Sequence, residues 1–332
     1  MSFDLVYGSS IEESIQQVLR IRRFGTRLLG NPISTSTQLI HALLNSKERL
    51  FFAESAPISG WTHLEQRILG GLGVAMEVMA FDDGKWVSPT CHHPPISATL
   101  LFCPGPLLAR SDCWDYKTII TEDGLDIDVY DRVLEERVLP LLLYVEAHTE
   151  GRAVVTIPGL GCGVFAGKFH QHIAALFIQS LYRLLQKNAA RLSKIAMVYH
   201  FIHDPSHPPE KTEIDVSSTL RLLCWSNGPA LLANPSSFAP DLENVQLYKF
   251  VAWDHFSWPG NDFFYNSRQT DDGVSAAATS SMANLLPQNT NWTYKYDRDS
   301  NRYLPYSNGR LYQWKEVQPS VKLKPQRILC LR

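Results

Sequence analysis

The sequence lacks several features that would assign it to a specialised class of protein. Its 332 residues contain no block of basic residues, and the net charge of −2 argues against binding nucleic acid through phosphate contacts. No apolar run reaches about 18 residues, so no membrane span or membrane partner is predicted. The first residues do not combine a basic segment with an apolar core, so no secretory signal peptide is predicted.

The signatures of common catalytic and metal sites are also missing. The six cysteines form no C-x-x-C pair, which predicts reduced thiols and a cytoplasmic location. Histidines occur in groups without zinc-protease spacing, so neither a metal nor a cofactor is predicted; the groups are His92 and His93, His170 and His172, and His200, His203 and His207. There is no G-x-S-x-G and no G-x-x-x-x-G-K-[ST], which disfavours a serine esterase and excludes a P-loop.

What the chain does have is a glycine-rich stretch at residues 154–167. An apolar, β-branched run ends in a loop with four glycines, and a helical pattern with one apolar face follows. Glycines let the backbone come close to a ligand, and successive N–H groups in front of a helix N-terminus attract phosphate. The stretch therefore predicts a diphosphate-binding loop. Its candidate binding residues are Gly159, Gly161, Cys162, Gly163, Val164, Phe165 and Ala166.

Other interpretations of this loop remain open from the residues alone. Residues 161–166 fit the G-x-G-x-x-G/A pattern of dinucleotide-binding folds. That pattern is expected early in a chain, with an acid roughly 20 residues later, and no Asp or Glu lies between Gly151 and Asp204. The glycines could also form only a tight turn. Cys162 could be a nucleophile, although a small residue that fits the loop is the favoured interpretation.

Three aspartates in a second stretch, residues 250–279, are candidates for chemistry. Asp254 follows a predicted strand, Asp262 follows a tight loop, and Asp272 precedes a run of small residues that can begin a helix. Their intervals are 8 (254 to 262) and 10 (262 to 272). Ligands of α/β sheets bind at the carboxyl ends of strands, where Asp254 is expected. Each aspartate alone could be merely a turn or cap residue.

Together the two stretches resemble a macrodomain, and more closely the MavL-type class of arginine-specific ADP-ribosyl hydrolases known from Legionella effectors. The resemblance covers residues 151–282 well. It implies an α/β fold with three α/β/α layers and a mixed central sheet. It also implies that Asp254, Asp262 and Asp272 contact the ribose and support hydrolysis, and that Phe165 packs against the distal ribose. An acid that binds adenine is not identified, although Asp82 or Asp83 is a candidate.

The resemblance also implies a function and partners. The expected reaction removes mono-ADP-ribose from arginine on a protein, with ubiquitin as one candidate, by cleaving the ribose C1″–N bond. Carboxylates stabilise oxocarbenium character and activate water, and they pair with the guanidinium of the leaving arginine. We assign Asp272 to ribose hydroxyls or water, and Asp254 and Asp262 to guanidinium or water. The alternatives are a reader that binds ADP-ribose without cleaving it and a glycohydrolase of other linkages. A translocated effector would act in a host cytosol.

The rest of the chain predicts alternating helices and strands, and therefore an α/β fold. Residues 1–60 are expected to form a helical extension, and residues 61–332 the ADP-ribose-binding domain. A hairpin is expected at Asn308-Gly309, and Pro140 should kink or break a helix. The predicted helices are 9–22, 37–44 and 128–146; the strands are 74–81, 85–87 (across a turn at 82–84), 98–103, 195–202, 220–225 and 247–253; and a loop is expected at 203–219.

Overall fold

A computed structural model gives the fold of the chain. It describes residues 3–21, 33–46, 61–202, 210–257, 259–260, 262, 270–285, 293–297, 302–317 and 323–332. These residues form a nine-stranded mixed sheet with helices packed on both faces, so the predicted three-layer α/β/α architecture is confirmed. Within the described ranges, no helix has both the length and the apolar character that crossing a bilayer requires.

The strands of the large sheet come from the whole length of the chain. Their order is β14-β1-β2-β3-β10-β6-β7-β9-β8, and β11-β12-β13 and β4-β5 form two small sheets. The strands are β1 (Phe3–Gly8), β2 (Gly73–Asp82), β3 (Cys91–Pro104), β4 (Ile120–Thr121), β5 (Gly124–Leu125), β6 (Ala153–Ile157), β7 (Ile195–Ile202), β8 (Lys211–Asp215), β9 (Arg221–Ser226), β10 (Gln246–Trp253), β11 (Thr293–Asp297), β12 (Arg302–Ser307), β13 (Arg310–Leu311) and β14 (Arg327–Leu331).

The helices divide between the two faces of the sheet. They are α1 (Ser9–Ile21), α2 (Ser36–Ser46), α3 (His63–Gly70), α4 (Trp114–Ile119), α5 (Ile127–His148), α6 (His170–Asn188), α7 (Asp271–Ala278), α8 (Ser281–Leu285) and α9 (Trp314–Val317). Buried residues of α1, α2, α3 and α7 share one core, and those of α5 and α6 share the other. In α6 the predicted apolar face is confirmed, since Ile173, Phe177, Leu181 and Leu184 are buried.

Five neighbouring strands, β3, β10, β6, β7 and β9, run parallel. All five residues of β6 are buried, which explains why its sequence is a continuous β-branched run rather than an alternating one. Parallel strands have their carboxyl ends at one edge. Because β10 lies between β3 and β6, the loops that follow these three strands are neighbours. The glycine stretch and the acidic stretch therefore begin side by side.

The first sixty residues contain a strand that the sequence did not predict. The two expected helices are present as α1 and α2. However, β1 pairs with β2 and with β14, and Ile11 and Ile15 of α1 share a core with Leu5 of β1. The predicted helical extension thus contributes a strand to the main sheet. The sequence did not predict this strand because six residues are too few to show a clear hydrophobic period. A domain boundary at residue 60 stays a prediction.

The predicted hairpin near the C-terminus is confirmed. Asn308 and Gly309 have φ of 50° and 80°, the left-handed pair that a type I′ turn requires. The flanking residues pair as Ser307↔Arg310.

Three local predictions need correction. Helix α5 continues through Pro140, so the predicted break is absent, while a kink there stays a prediction. Residues 85–87 belong to the turn after β2 rather than to a returning strand, and the partner of β2 is β3. The predicted loop at 203–219 contains β8, which pairs with β9 at the edge of the sheet; residues 203–209 lie outside the described part.

Candidate functional site

The glycine loop, residues 158–163, leaves the carboxyl end of β6. A 3-10 turn over Val164–Phe169 follows, and α6 begins only at His170. A kink interrupts this turn at Gly167, which has φ of 54°. The predicted order of strand, glycine loop and helix is therefore present, with a 3-10 turn inserted before the helix.

The tip of this loop presents backbone donors at the surface. Gly163 and Val164 are both exposed, Val164 by 68%. A Cβ added at Gly163 would meet no other atom within 4 Å. In the described part of the chain, no protein acceptor receives a hydrogen bond from the N–H groups of these two residues. Exposed N–H groups of successive residues can donate to phosphate oxygens.

Cys162 faces the inside of the loop rather than its open side. A Cβ added at Gly159 would lie 2.9 Å from the Cβ of Cys162, so the two residues pack closely. Burial raises the pKa of the Cys162 thiol to about 12, which leaves almost no thiolate at neutral pH. The geometry therefore favours a packing role for Cys162, as a small residue that closes the loop, and disfavours a role as a nucleophile.

A second loop, residues 105–109 after β3, packs against the glycine loop. A Cβ on Gly105 would lie 2.0 Å from the amide nitrogen of Gly161, so only glycine allows this approach. Gly161 itself has φ of 75°. Farther along, the N–H of Leu108 donates to the carbonyl of Phe165 at 2.7 Å. No local pattern in the sequence around Gly105 marks this contact with a loop more than fifty residues away.

A buried ion pair fixes the second loop. Arg137 of α5 and Asp115 of α4 form a salt bridge with both side chains only 2% exposed. Arg137 also donates to the carbonyl of Gly105 at 2.8 Å, and the N–H of Leu107 donates to Asp115 at 2.6 Å. All the polar groups of this cluster thus support the backbone on which the glycine loop rests. Sequence reasoning did not identify Arg137 or Asp115, which are far apart along the chain.

The acidic stretch begins where β10 ends. Asp254 is 8% exposed, and its Oδ1 accepts the N–H of Phe256 at 3.0 Å. The backbone turns back at Ser257, whose N–H donates to the carbonyl of Asp254 at 3.1 Å. His255, between them, packs its ring edge-to-face on Phe165 at 6.3 Å between centroids. This ring contact joins the acidic stretch directly to the glycine-loop segment.

Asp272 lies in the first turn of α7 and is only 1% exposed. The N–H of Gly260 donates to both of its oxygens, at 2.9 and 3.0 Å. Burial and then the charge of Asp262 raise the pKa of Asp272 well above the ordinary range, with smaller contributions from Asp271 and Asp254, and the Gly260 hydrogen bonds oppose the rise. The charges of Asp254 and Asp262 therefore both act on Asp272, and the role of the three aspartates as one site stays a prediction.

Asp271, the residue before Asp272 at the start of α7, has partners through both of its carboxylate oxygens. Its Oδ1 pairs with the buried ammonium of Lys249 at 2.7 Å, and its Oδ2 accepts the N–H of Ala252 at 2.7 Å. Both contacts lie on β10. Lys249, a charged residue within a mostly apolar strand, could have indicated from the sequence that an acid pairs with it.

The histidine and the two aspartates that the sequence also offered as candidates make local structural contacts. His200 is buried, hydrogen-bonded to the carbonyl of Ile157, and burial lowers its pKa to about 4. Asp82 and Asp83 accept N–H groups of the turn after β2. In the described residues, no group of three or more metal-ligating side chains is placed to hold an ion. Residues 258, 261 and 263–269, which include the aromatic part of the acidic stretch, lie outside the described residues, as do His203 and His207.

A family model described as macrodomain effector MavL matches residues 26–308, which include the glycine loop, the second loop and Asp254, Asp262, Asp271 and Asp272. A comparison with curated proteins finds no match.

Proposed function

Since this chain belongs to the family of the macrodomain effector MavL, we propose that it is a hydrolase that removes mono-ADP-ribose from arginine side chains of proteins. Membership of a macrodomain family implies ADP-ribose as the ligand. The finer part of the proposal is the reaction, which cleaves the bond between ribose C1″ and the guanidinium nitrogen.

One observation carries the proposal. Asp272 is buried beside Asp254 and Asp262, near the edge of the sheet from which the glycine loop emerges. Holding a diphosphate requires N–H donors, which the glycine loop offers, and gains nothing from carboxylates nearby. Burying several acids together is unfavourable unless a cation or a reaction needs them. Oxocarbenium character on the ribose and the guanidinium of the leaving arginine are both cationic.

The environments of the three acids support a division of roles. Burial and neighbouring charge favour the protonated form of Asp272. A carboxyl poised in this way can hydrogen-bond ribose hydroxyls or exchange a proton with water. Asp262 is only partly buried and is therefore suited to meet a guanidinium or water, a role that the more buried Asp254 can share. Phe165, which packs on His255, supplies an apolar surface for the distal ribose.

The protein partner is a mono-ADP-ribosylated protein modified on arginine, with ubiquitin as one candidate. A protein delivered by bacteria would meet such a partner in the host cytosol. The glycine loop would also suit a reader that binds ADP-ribose without cleaving it, and the acids would suit hydrolysis of other ADP-ribose linkages.

These functions are separated by one experiment. The protein is incubated with three substrates modified on arginine, glutamate and serine, and released ADP-ribose is measured by mass spectrometry. The proposal expects release from the arginine-linked substrate alone. Calorimetric binding of ADP-ribose without release from any substrate would establish the reader, and release from glutamate or serine would overturn the assignment to arginine.

A further inference from the structure

We propose that Lys249 is a positioning residue of the acidic site, whose buried ammonium fixes Asp271 and thereby sets the place and the charge environment of Asp272. This inference rests on the proposed function for its catalytic meaning. The contacts that carry it lie wholly within described residues of β10 and α7.

Lys249 is buried in the middle of the sheet. It is 1% exposed and lies in β10 opposite Leu100 of β3 and Thr156 of β6. Its Nζ donates to Asp271 Oδ1 at 2.7 Å, to Ser275 Oγ at 2.8 Å and to the carbonyl of Phe250 at 3.3 Å. An ammonium has three donors, and here each has an acceptor. Such a group is costly to bury, and an apolar residue at this position would pack without that cost.

The partner of Lys249 is tied to the strand that leads into the acidic stretch. Asp271 Oδ2 accepts the N–H of Ala252 at 2.7 Å, so the carboxylate joins α7 to β10 through both of its oxygens. Ser275 Oγ donates to the carbonyl of Asp271 at 2.7 Å and so holds the next turn of the helix. The start of α7 is therefore fixed relative to β10 by charge and hydrogen bonds.

Asp272 is the next residue, and its surroundings are acidic. Among the described residues, the charged groups that act on it are Asp254 and Asp262 from the segment after β10 and Asp271 from its own helix. His255 of that segment instead packs on the rings of Phe165 and Phe256. Lys249 of β10 balances the charge of Asp271 through their ion pair. Without the lysine the negative charge of Asp271 would be unopposed beside Asp272, and without Asp271 the positive charge of Lys249 would be unopposed there.

This arrangement predicts opposite effects for two substitutions. In Lys249→Met the charge of Asp271 is unopposed, so Asp272 should hold its proton to a higher pH. In Asp271→Asn the amide oxygen can still accept the N–H of Ala252, but the negative charge is gone and Lys249 remains, so Asp272 should ionise at a lower pH. Each shift should be about one pH unit. The double variant removes both charges and should titrate close to the wild type.

The measurement is a carbon-13 NMR titration of aspartate carboxyls, with the Asp272 signal assigned by Asp272→Asn. The second readout is the pH profile of kcat/KM on the arginine-linked substrate. The part of this profile that follows the ionisation of Asp272 should move to higher pH in Lys249→Met and to lower pH in Asp271→Asn. In Lys249→Met, kcat should fall about tenfold, and calorimetry should show the Kd for ADP-ribose within about twofold of wild type. Lys187→Met, which breaks a surface ion pair with Glu135 on another face, is the matched control and should change neither readout.

The outcomes separate this inference from the proposed function. Opposite shifts of the Asp272 titration support the positioning role even if wild type releases no ADP-ribose, a result that would overturn the hydrolase alone. An Asp272 titration that is the same in wild type, Lys249→Met and Asp271→Asn overturns the positioning role. If Lys249→Met does not fold, Asp271→Asn decides: a shift to lower pH supports the role, and an unchanged titration overturns it.

Discussion

Gly163→Val should abolish most of the affinity for ADP-ribose while leaving the fold intact. A Cβ at Gly163 meets no atom within 4 Å, so a valine fits there without a clash, and its side chain, attached between the N–H groups of Gly163 and Val164, should obstruct a phosphate bound by them. A hydrogen bond to a charged group contributes about 1.5–3 kcal/mol. Blocking two such donors costs about 3–6 kcal/mol, a factor of roughly 10² to 10⁴ in Kd.

Isothermal titration calorimetry with ADP-ribose measures this loss, and urea unfolding should show a change in stability within about 0.5 kcal/mol, as for other exposed sites. Gly151→Val is the matched control. Gly151 is also exposed, a Cβ there also meets no atom within 4 Å, and it lies near the opposite end of β6. Gly151→Val should leave the Kd unchanged. An unchanged Kd in folded Gly163→Val would refute the assignment of the loop to the diphosphate.

Two further predictions concern the support of the loop. Gly105→Ala places a methyl 2.0 Å from the Gly161 nitrogen, so the two loops must separate, and both ADP-ribose affinity and the free energy of unfolding should fall, the latter by about 1–3 kcal/mol. Burial lowers the pKa of His200 from 6.5 to about 4, so the unfolded chain takes up a proton first as the pH falls through this window and the folded state loses stability. The loss between pH 7 and pH 5 should be about 2 kcal/mol in urea unfolding, and His200→Gln should remove that part of the pH dependence.

The sequence predicted what is local and periodic. The type I′ hairpin needs only Asn308 and Gly309, and the apolar face of α6 needs only a 3.6-residue period. The strands at 98–103 and at the start of the glycine stretch were predicted from their apolar runs, which burial on both faces explains, and the alternation of strands with helices predicted the α/β fold. These features establish the fold class and the edge of the sheet at which the glycine loop and Asp254 emerge.

Features that depend on distant pairing were missed. Strand β1 is six residues long, and its partner β14 lies at the other end of the chain. The support of the glycine loop by Gly105, Arg137 and Asp115 joins separate segments, and no local pattern marks it. Lys249 was visible as a charge in an apolar strand, but its partner is 22 residues away, and only the packing of α7 on β10 identifies it.

Replacing any one of Asp254, Asp262 and Asp272 by Asn should slow hydrolysis of the arginine-linked substrate by about a hundredfold or more. Asn preserves shape and removes charge. Stabilising a developing cation in a site shielded from water contributes several kcal/mol, and a hundredfold corresponds to about 2.7 kcal/mol. The Kd for ADP-ribose should change far less, because the donors for the diphosphate belong to a different segment. Single-turnover release of ADP-ribose and calorimetry measure the two quantities.

The neighbouring Asp271 is unsuitable as a neutral control, because its carboxylate pairs with Lys249 and accepts the N–H of Ala252. Asp123 is exposed in the turn between β4 and β5, and Asp123→Asn should leave both quantities unchanged. If the three site variants lose affinity for ADP-ribose as severely as they lose rate, the acids hold the ligand rather than stabilise the transition state. If Asp272→Asn hydrolyses the substrate at the wild-type rate, the most buried acid has no part in the chemistry, and the mechanism proposed for the site is wrong.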